Sequence, residues 1–467
     1  MAKYSIEDTT LTNIAEAIRT KGNTTDNLTP LQMPEAINAI QTGGGGEEET
    51  VDSLKRTPEE VYSRTRPASW PVLPEPTQNN EFYFLCKTHK KNYVIYPYCG
   101  QAMTMEWGYI DDNGVFVAVH SMSQSASLTY WTEASISGKW VSPQMDNYYV
   151  MRTTGADCSH EKAASNTASS STMKYVLEVK ARCSNPTFMS LKTTTSYYTN
   201  GMSGCQYITL YGPQDWTSPA HKFRDMTSLR CIIFKDDNPF AKYNATTTVK
   251  YMFSGCKMLE CAYEEFLKNW PNITESTYAW GYCYQLPTLD IDLGDNNIDF
   301  GSIAYYAGPF QRLRIRAPKR TTGSIGFDSG VVRGAIIEEL DLSSHTAPAS
   351  VYYIGIYAKE IRNLKLAPVS MTSSNVALYV GSSYNQQLRK ITMAPDATED
   401  NVPTAWKLGI KYASYDEIKE FLNSLPVTST SRAITICHYC FGVNGDCPPD
   451  LSELATSKGY TLAFATP

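Results

Sequence analysis

The densest grouping of metal-binding residue types is Cys437-His438-Tyr439-Cys440, with Cys447 close behind. Three cysteines and one histidine fall within eleven residues. A structural zinc site takes four ligands, ordinarily from two such pairs. No second Cys-x-x-Cys follows, so no metal is expected, and Cys437 and Cys440 read as parts of a terminal strand and its turn. A disulfide formed after release from the cell is the other alternative. The six histidines, at 89, 120, 160, 221, 345 and 438, sit in no Gly-x-Ser-x-Gly elbow and no His-Glu-x-x-His helix. Gly43–Gly46 lacks the Lys-Ser/Thr that completes a phosphate loop. Asp111/Asp112, Asp290/Asp292 and Glu338/Glu339 are paired carboxylates of the kind glycoside cleavage requires. Each falls in a turn or at alternating strand positions, where a solvated carboxylate is the norm. No catalytic residue and no cofactor is assigned, and the chain reads as non-enzymatic.

Tyrosine is the more suggestive residue, with 32 against 15 phenylalanines. Tyr282, Tyr284, Tyr305, Tyr306, Tyr352, Tyr353 and Tyr357 all lie within one repeating stretch. A tyrosine offers a flat apolar face and a polar tip, which suits stacking on sugars or contacts with protein. These residues form the candidate ligand-binding set. The plain alternative is that they close turns as core or rim residues.

The element that would position them is a repeat. Leucines at 229, 259, 286, 313, 340, 364 and 388 are spaced by 30, 27, 27, 27, 24 and 24 residues. Each is followed two or three places on by an apolar residue, in most as Leu-x-Leu or Leu-x-x-Leu/Ile, the signature of a leucine-rich repeat solenoid. One turn cannot bury its apolar face alone, so the turns must stack. Phe223-Arg-Asp-Met-Thr-Ser-Leu229 and Met252-Phe-Ser-Gly-Cys-Lys-Met-Leu259 both read aromatic, polar turn, then Leu. These phrases resemble the irregular leucine-rich repeats of bacterial surface proteins and of phage tail proteins. Residues 205–400 are assigned to this domain, and 205–210 resemble its first, edge repeat.

The ends and linkers complete the organisation. In residues 1–42, Leu11, Ile14 and Ile18 make one helical stripe and Met33, Ile37 and Ile40 another. Gly22 stops the first helix, and Thr29 with Pro30 opens the second. So short a hairpin needs a partner, so these six residues are the expected oligomer or attachment interface. Ile14-Ala-Glu-Ala-Ile18-Arg-Thr-Lys21-Gly22 with Leu31-Gln-Met33-Pro-Glu-Ala-Ile37 resembles the N-terminal segment of tail and baseplate proteins from phages of Gram-positive bacteria. The resemblance implies attachment to the particle. Residues 43–80 read as a Gly/Glu-rich and then Pro-rich linker, with Trp70 and Leu73 pinning it to the next domain. Residues 81–204 carry alternating strands and the Asp111-Asp-Asn-Gly114 turn, and look like an immunoglobulin-like β-sandwich. Trp107-Gly-Tyr-Ile-Asp-Asp-Asn-Gly114 resembles the Trp-Gly-Asp-Gly phrase of polycystin-type sandwiches, with two residues more. Residues 401–467 read helix, strand, helix, strand, an α/β cap over the last repeat.

The expected architecture is therefore multidomain and mainly β: a short N-terminal helical hairpin, an immunoglobulin-like sandwich, a leucine-rich repeat solenoid and an α/β C-terminal cap. A net charge of −6 argues against nucleic acid, which demands a basic surface. No run is long and apolar enough for a membrane span, and the opening residues do not read as a secretory signal. Synthesis in a host cytoplasm, with buried free thiols, is expected. The two phage resemblances imply a virion protein at the tail tip or baseplate, a homotrimer joined to other tail proteins, that binds a host surface glycan or protein. A bacterial leucine-rich repeat surface adhesin and a cell-wall glycan depolymerase are the alternatives.

Overall fold

Glu81–Lys87 (β1) is buried at every position but the last. An unbroken run such as Phe82-Tyr-Phe-Leu-Cys86 needs cover on both faces, which only a central strand receives. The computed structural model describes residues 48–90, 92–97, 102–125, 132–136, 147–155, 173–186, 202–216, 219–242, 245–298, 302–319, 334–344, 358–370, 388–439 and 447–465. The chain divides into residues 1–50 and 51–467. Leu11, Ile14, Ile18, Met33, Ile37 and Ile40 lie outside the described residues.

After β1 come Tyr93–Tyr96 (β2), Ala102–Ile110 (β3), Phe116–Ser125 (β4), Thr132–Ser135 (β5), Tyr148–Gly155 (β6) and Val176–Arg182 (β7). β1 pairs antiparallel with β6 and β7, and β3 pairs antiparallel with β4 and β6. The β2–β5 ribbon is tied to the large sheet through Ile95. Its carbonyl accepts from Trp107 Nε1 at 2.8 Å, and its amide donates to Tyr149 Oη at 2.9 Å. The large sheet does not stop at residue 204. Tyr207–Tyr211 (β8) and Cys231–Phe234 (β9) add to it in parallel, giving the order β4-β3-β6-β1-β7-β8-β9. β8 is buried throughout, so it covers what would otherwise be an open edge at β7.

A second sheet holds Thr288–Asp292 (β10), Arg312–Arg316 (β11), Ile336–Leu342 (β12), Glu360–Leu366 (β13) and Lys390–Met393 (β14), parallel and in chain order. Leu289, Leu313, Ile337, Ile361 and Ile391 stack as one inward column, and Ile291, Ile315, Leu340, Leu364 and Met393 as the other. The leucine register read from sequence therefore slips after Leu286. Leu313 stacks on Leu289, and Leu340 stacks on Ile315 and Leu364. For Leu340 the physical reason is a shift in the β11–β12 register after Leu313, which leaves Glu338 as an extra residue. Ile337 and Leu340 thus both face inward although three residues apart. Between β9 and β10 the ladder is interrupted, and the Tyr263 hydroxyl bonds both the amide and the carbonyl of Ile232.

Residues 51–76, within the expected linker, are packed against the sheets. Val51–Leu54 (α1) is a single turn, and Pro58–Thr65 (α2) forms because Thr57 and Glu60 make a capping box with proline in the first turn. Val51, Val61, Trp70 and Leu73 are buried. Asp52 meets Arg314 at 2.9 Å, Lys55 meets Asp290 at 3.0 Å, and Arg56, Arg64 and Arg230 all pair with Glu260. This strap lies against strands of both sheets.

Beyond the second sheet, Ala405–Gly409 (β15), Arg432–Cys437 (β16) and Tyr460–Ala465 (β17) pair in parallel. After the short Phe266–Asn269 (α3), the remaining described α-helices are Tyr415–Ser424 (α4) and Pro449–Ser457 (α5). Residues 405–465 show helices and strands in the order α4, β16, α5, β17, preceded by β15, whose Trp406 and Leu408 are buried. Among the described residues no helix is long and apolar enough to cross a membrane.

Candidate functional site

Before β9, before β10 and before β11 the chain makes turns that stack on one another. His221 N–H donates to Lys250 O, Tyr251 N–H to Thr277 O, and Tyr278 N–H to Ser302 O, at 2.9, 3.1 and 3.1 Å. Inside the stack, Phe223, Phe253 and Trp280 are fully buried, and the first two rings lie 5.5 Å apart and 6° from parallel. Outside it runs a second line of rings.

That outer line is a ladder. His221 stacks on Tyr251 at 5.0 Å, and Tyr251 on Tyr278 at 5.1 Å. Tyr278 meets Tyr305 edge-on at 4.8 Å, Tyr305 meets Tyr306 at 4.3 Å, and Tyr306 stacks on Tyr282 at 5.6 Å. The Arg224 guanidinium sits 4.6 Å above Tyr251, with the Lys250 ammonium at 5.7 Å. Lys250 is held in turn by Glu275 at 2.8 Å. Burial, with Arg224 and Lys250 nearby, holds the His221 ring down at about 4, so it is neutral at pH 7. Its Nδ1 lies 3.3 Å from Arg224 Nη1 and accepts from it in that state.

The backbone under the ladder is unusual. His221, Tyr251, Tyr278 and Ser302 have φ of 61°, 55°, 56° and 58°. Asp225, Gly255, Tyr282 and Tyr306 have φ of 59°, 82°, 60° and 53°. Both sets advance by 30, 27 and 24 residues, so each turn carries the same two left-handed positions. A bulky residue there costs on the order of 1–2 kcal/mol, whereas glycine costs little. Only Gly255 takes the cheap choice, and there the Asp225 carboxylate also leaves no room, since a Cβ would lie 2.4 Å from its Oδ1. The side chains, and not backbone preference, therefore account for tyrosine at these positions.

The structure brings Tyr282, Tyr305 and Tyr306 into one cluster. Tyr284 follows on the same turn, and Tyr282, Tyr284 and Tyr306 are exposed at 37%, 43% and 47%. Tyr352, Tyr353 and Tyr357 lie outside the described residues. His221, Tyr251 and Tyr278 belong to the ladder and were missed by the sequence reading. Their signal was present as His221-Lys-Phe223, Tyr251-Met-Phe253 and Tyr278-Ala-Trp280, an aromatic two places before each buried ring.

The other chemistry-bearing candidates are placed as follows. Asp290, expected to be solvated, is 5% exposed and meets Lys55, Arg314 and Arg316. Glu338 meets Arg314 at 3.5 Å and accepts from the Val51 amide at 2.8 Å. These outward strand positions carry alternating charge, and the strap closes over them. Asp111 Oδ1 accepts the Asn113 and Val115 amides, as a turn residue does. His438 is buried with Nε2 2.7 Å from the Ala413 carbonyl, and Cys440 lies outside the described residues. No group of potential metal ligands occurs among the described residues. Cys256, Cys261 and Cys283 are buried free thiols, as expected, whereas Cys183 is in a disulfide. Comparison with family models, with curated proteins and with solved structures finds no match.

Proposed function

We propose that this chain is a non-enzymatic phage tail or baseplate protein that recognises the host-cell surface, and that the stacked aromatic turns are its recognition face. The observation that carries the reading is the aromatic ladder on left-handed backbone, which ends in the exposed Tyr282 and Tyr306. Aromatic residues kept at a conformational cost, at equivalent positions of successive turns, fit a surface made for contact. In this reading the parallel strands from β8 to β14 are an irregular leucine-rich repeat solenoid, the β1–β7 region is an immunoglobulin-like sandwich, and β15–β17 with α4 and α5 form the cap. Residues 1–42 join the chain to itself as a homotrimer and to other tail proteins in the virion.

The test is binding of the labelled full chain to Gram-positive cell walls. Walls stripped of protein by protease and walls with glycan oxidised by periodate separate the two ligand classes. Retention on at least one untreated wall preparation is expected. Absence of binding to a broad set of walls would remove the reading.

A further inference from the structure

A cleft of about 600 Å3 opens on the antiparallel sheet, and none of the ladder residues line it. That volume is in the range of small-molecule sites, about 300–1,000 Å3. Its walls are the Trp70–Val72 bend, the Tyr109–Asp112 end of β3 and the Asn147–Tyr148 start of β6.

Each wall is fixed by bonds of its own. Arg66 donates to the Pro71 carbonyl at 2.7 Å and is held by the buried Glu178 at 2.9 Å. The Asp111 turn closes on itself, with Gly114 N–H to Asp111 O at 3.0 Å. Asn147 O accepts the Thr88 amide at 2.9 Å, and Trp70 lies 6.4 Å from Tyr148 with the rings inclined at 56°. A cleft so held is present before any ligand arrives, which lowers the ordering cost of binding.

Its chemistry narrows the occupant. Aromatic and aliphatic residues line it, and its polar residues include Asp111, Asp112 and Asn147. Among the described residues no Lys, Arg or His lines it. An anion would be desolvated against carboxylates with no compensating charge. A pyranose fits the same lining: its C–H face packs on a ring, its hydroxyls donate to carboxylate and amide, and an amine would be drawn to both. We infer that this cleft binds a pyranose unit that is neutral or carries an amine. The inference stands apart from the ladder.

Saturation-transfer NMR on the full chain, with glucosamine, methyl N-acetylglucosaminide and glucuronate at equal millimolar concentration, tests it. The first two are expected to receive saturation and glucuronate not. Val72 is 64% exposed at the rim, so Val72→Arg folds normally and weakens glucosamine about tenfold. Asp112→Asn, also at an exposed position, weakens glucosamine more than the acetylated sugar. A Tyr282→Ala/Tyr306→Ala double variant leaves all three signals unchanged. The inference fails if no sugar is saturated, if glucuronate binds equally, or if the signals follow the tyrosine variant and ignore Val72→Arg and Asp112→Asn.

Discussion

At the scale of single residues, the ladder makes backbone cost and side-chain use separable. Tyr282→Gly keeps the left-handed turn without strain, while Tyr282→Ala keeps the strain and loses the ring. The glycine variant is expected to be more stable than the alanine variant by about 1 kcal/mol in denaturant unfolding. Gly255→Ala meets both a left-handed φ and the Asp225 carboxylate, and should lose about 2 kcal/mol. His221 supplies a pH prediction. Its folded pKa is about 4, below the ordinary value of 6.5, so the unfolded chain takes up this proton first as pH falls. The His221 contribution to stability is therefore complete above about pH 6.5 and is lost as pH falls through 4. Burial, then Arg224 and Lys250, hold that value down and Glu275 opposes them, whereas burial pushes the neighbouring Asp225 carboxyl upward. A ring-proton NMR titration, assigned with His221→Phe, should show one histidine that titrates near 4.

At the scale of elements, the strap turns on Glu260. Its side chain is 5% exposed and meets Arg56, Arg64 and Arg230. Glu260→Ala leaves three guanidinium groups facing one another, and should cost about 2–3 kcal/mol while opening residues 51–66 to limited proteolysis. The strap's second helix was legible in part, because Thr57-Pro58-Glu59-Glu60 carries both the capping box and the first-turn proline that open α2. What closes over the sheet was not legible, since Asp52–Arg314 and Lys55–Asp290 link residues more than 200 positions apart. The stacked turns were half legible. Periodicity showed that turns recur, yet a motif with two inward positions cannot fix register without the bulge at Glu338. The left-handed tyrosines escaped because local sequence favours glycine or asparagine there, and only stacking on the next turn holds a tyrosine in that conformation.

At the scale of the whole molecule, one sheet crosses the expected boundary between the antiparallel strands and the first parallel ones. β7, β8 and β9 should consequently unfold together. Hydrogen exchange is expected to show one protection level across 176–182, 207–211 and 231–234, and a separable domain edge at 204 would give two. Residues 1–50 form a unit of their own. If they are the assembly device, the full chain has a trimer's mass in solution and a chain beginning at Val51 a monomer's.

The most direct measurement for the recognition face is cell-wall binding by the full chain beside its Tyr282→Gly/Tyr306→Gly variant. Glycine keeps the left-handed backbone, so the variant stays folded by its thermal melt and differs only in exposed rings. The account predicts wild-type retention and loss of binding by about tenfold or more in the variant. Equal retention by the two folded proteins would contradict it and place recognition elsewhere on the chain.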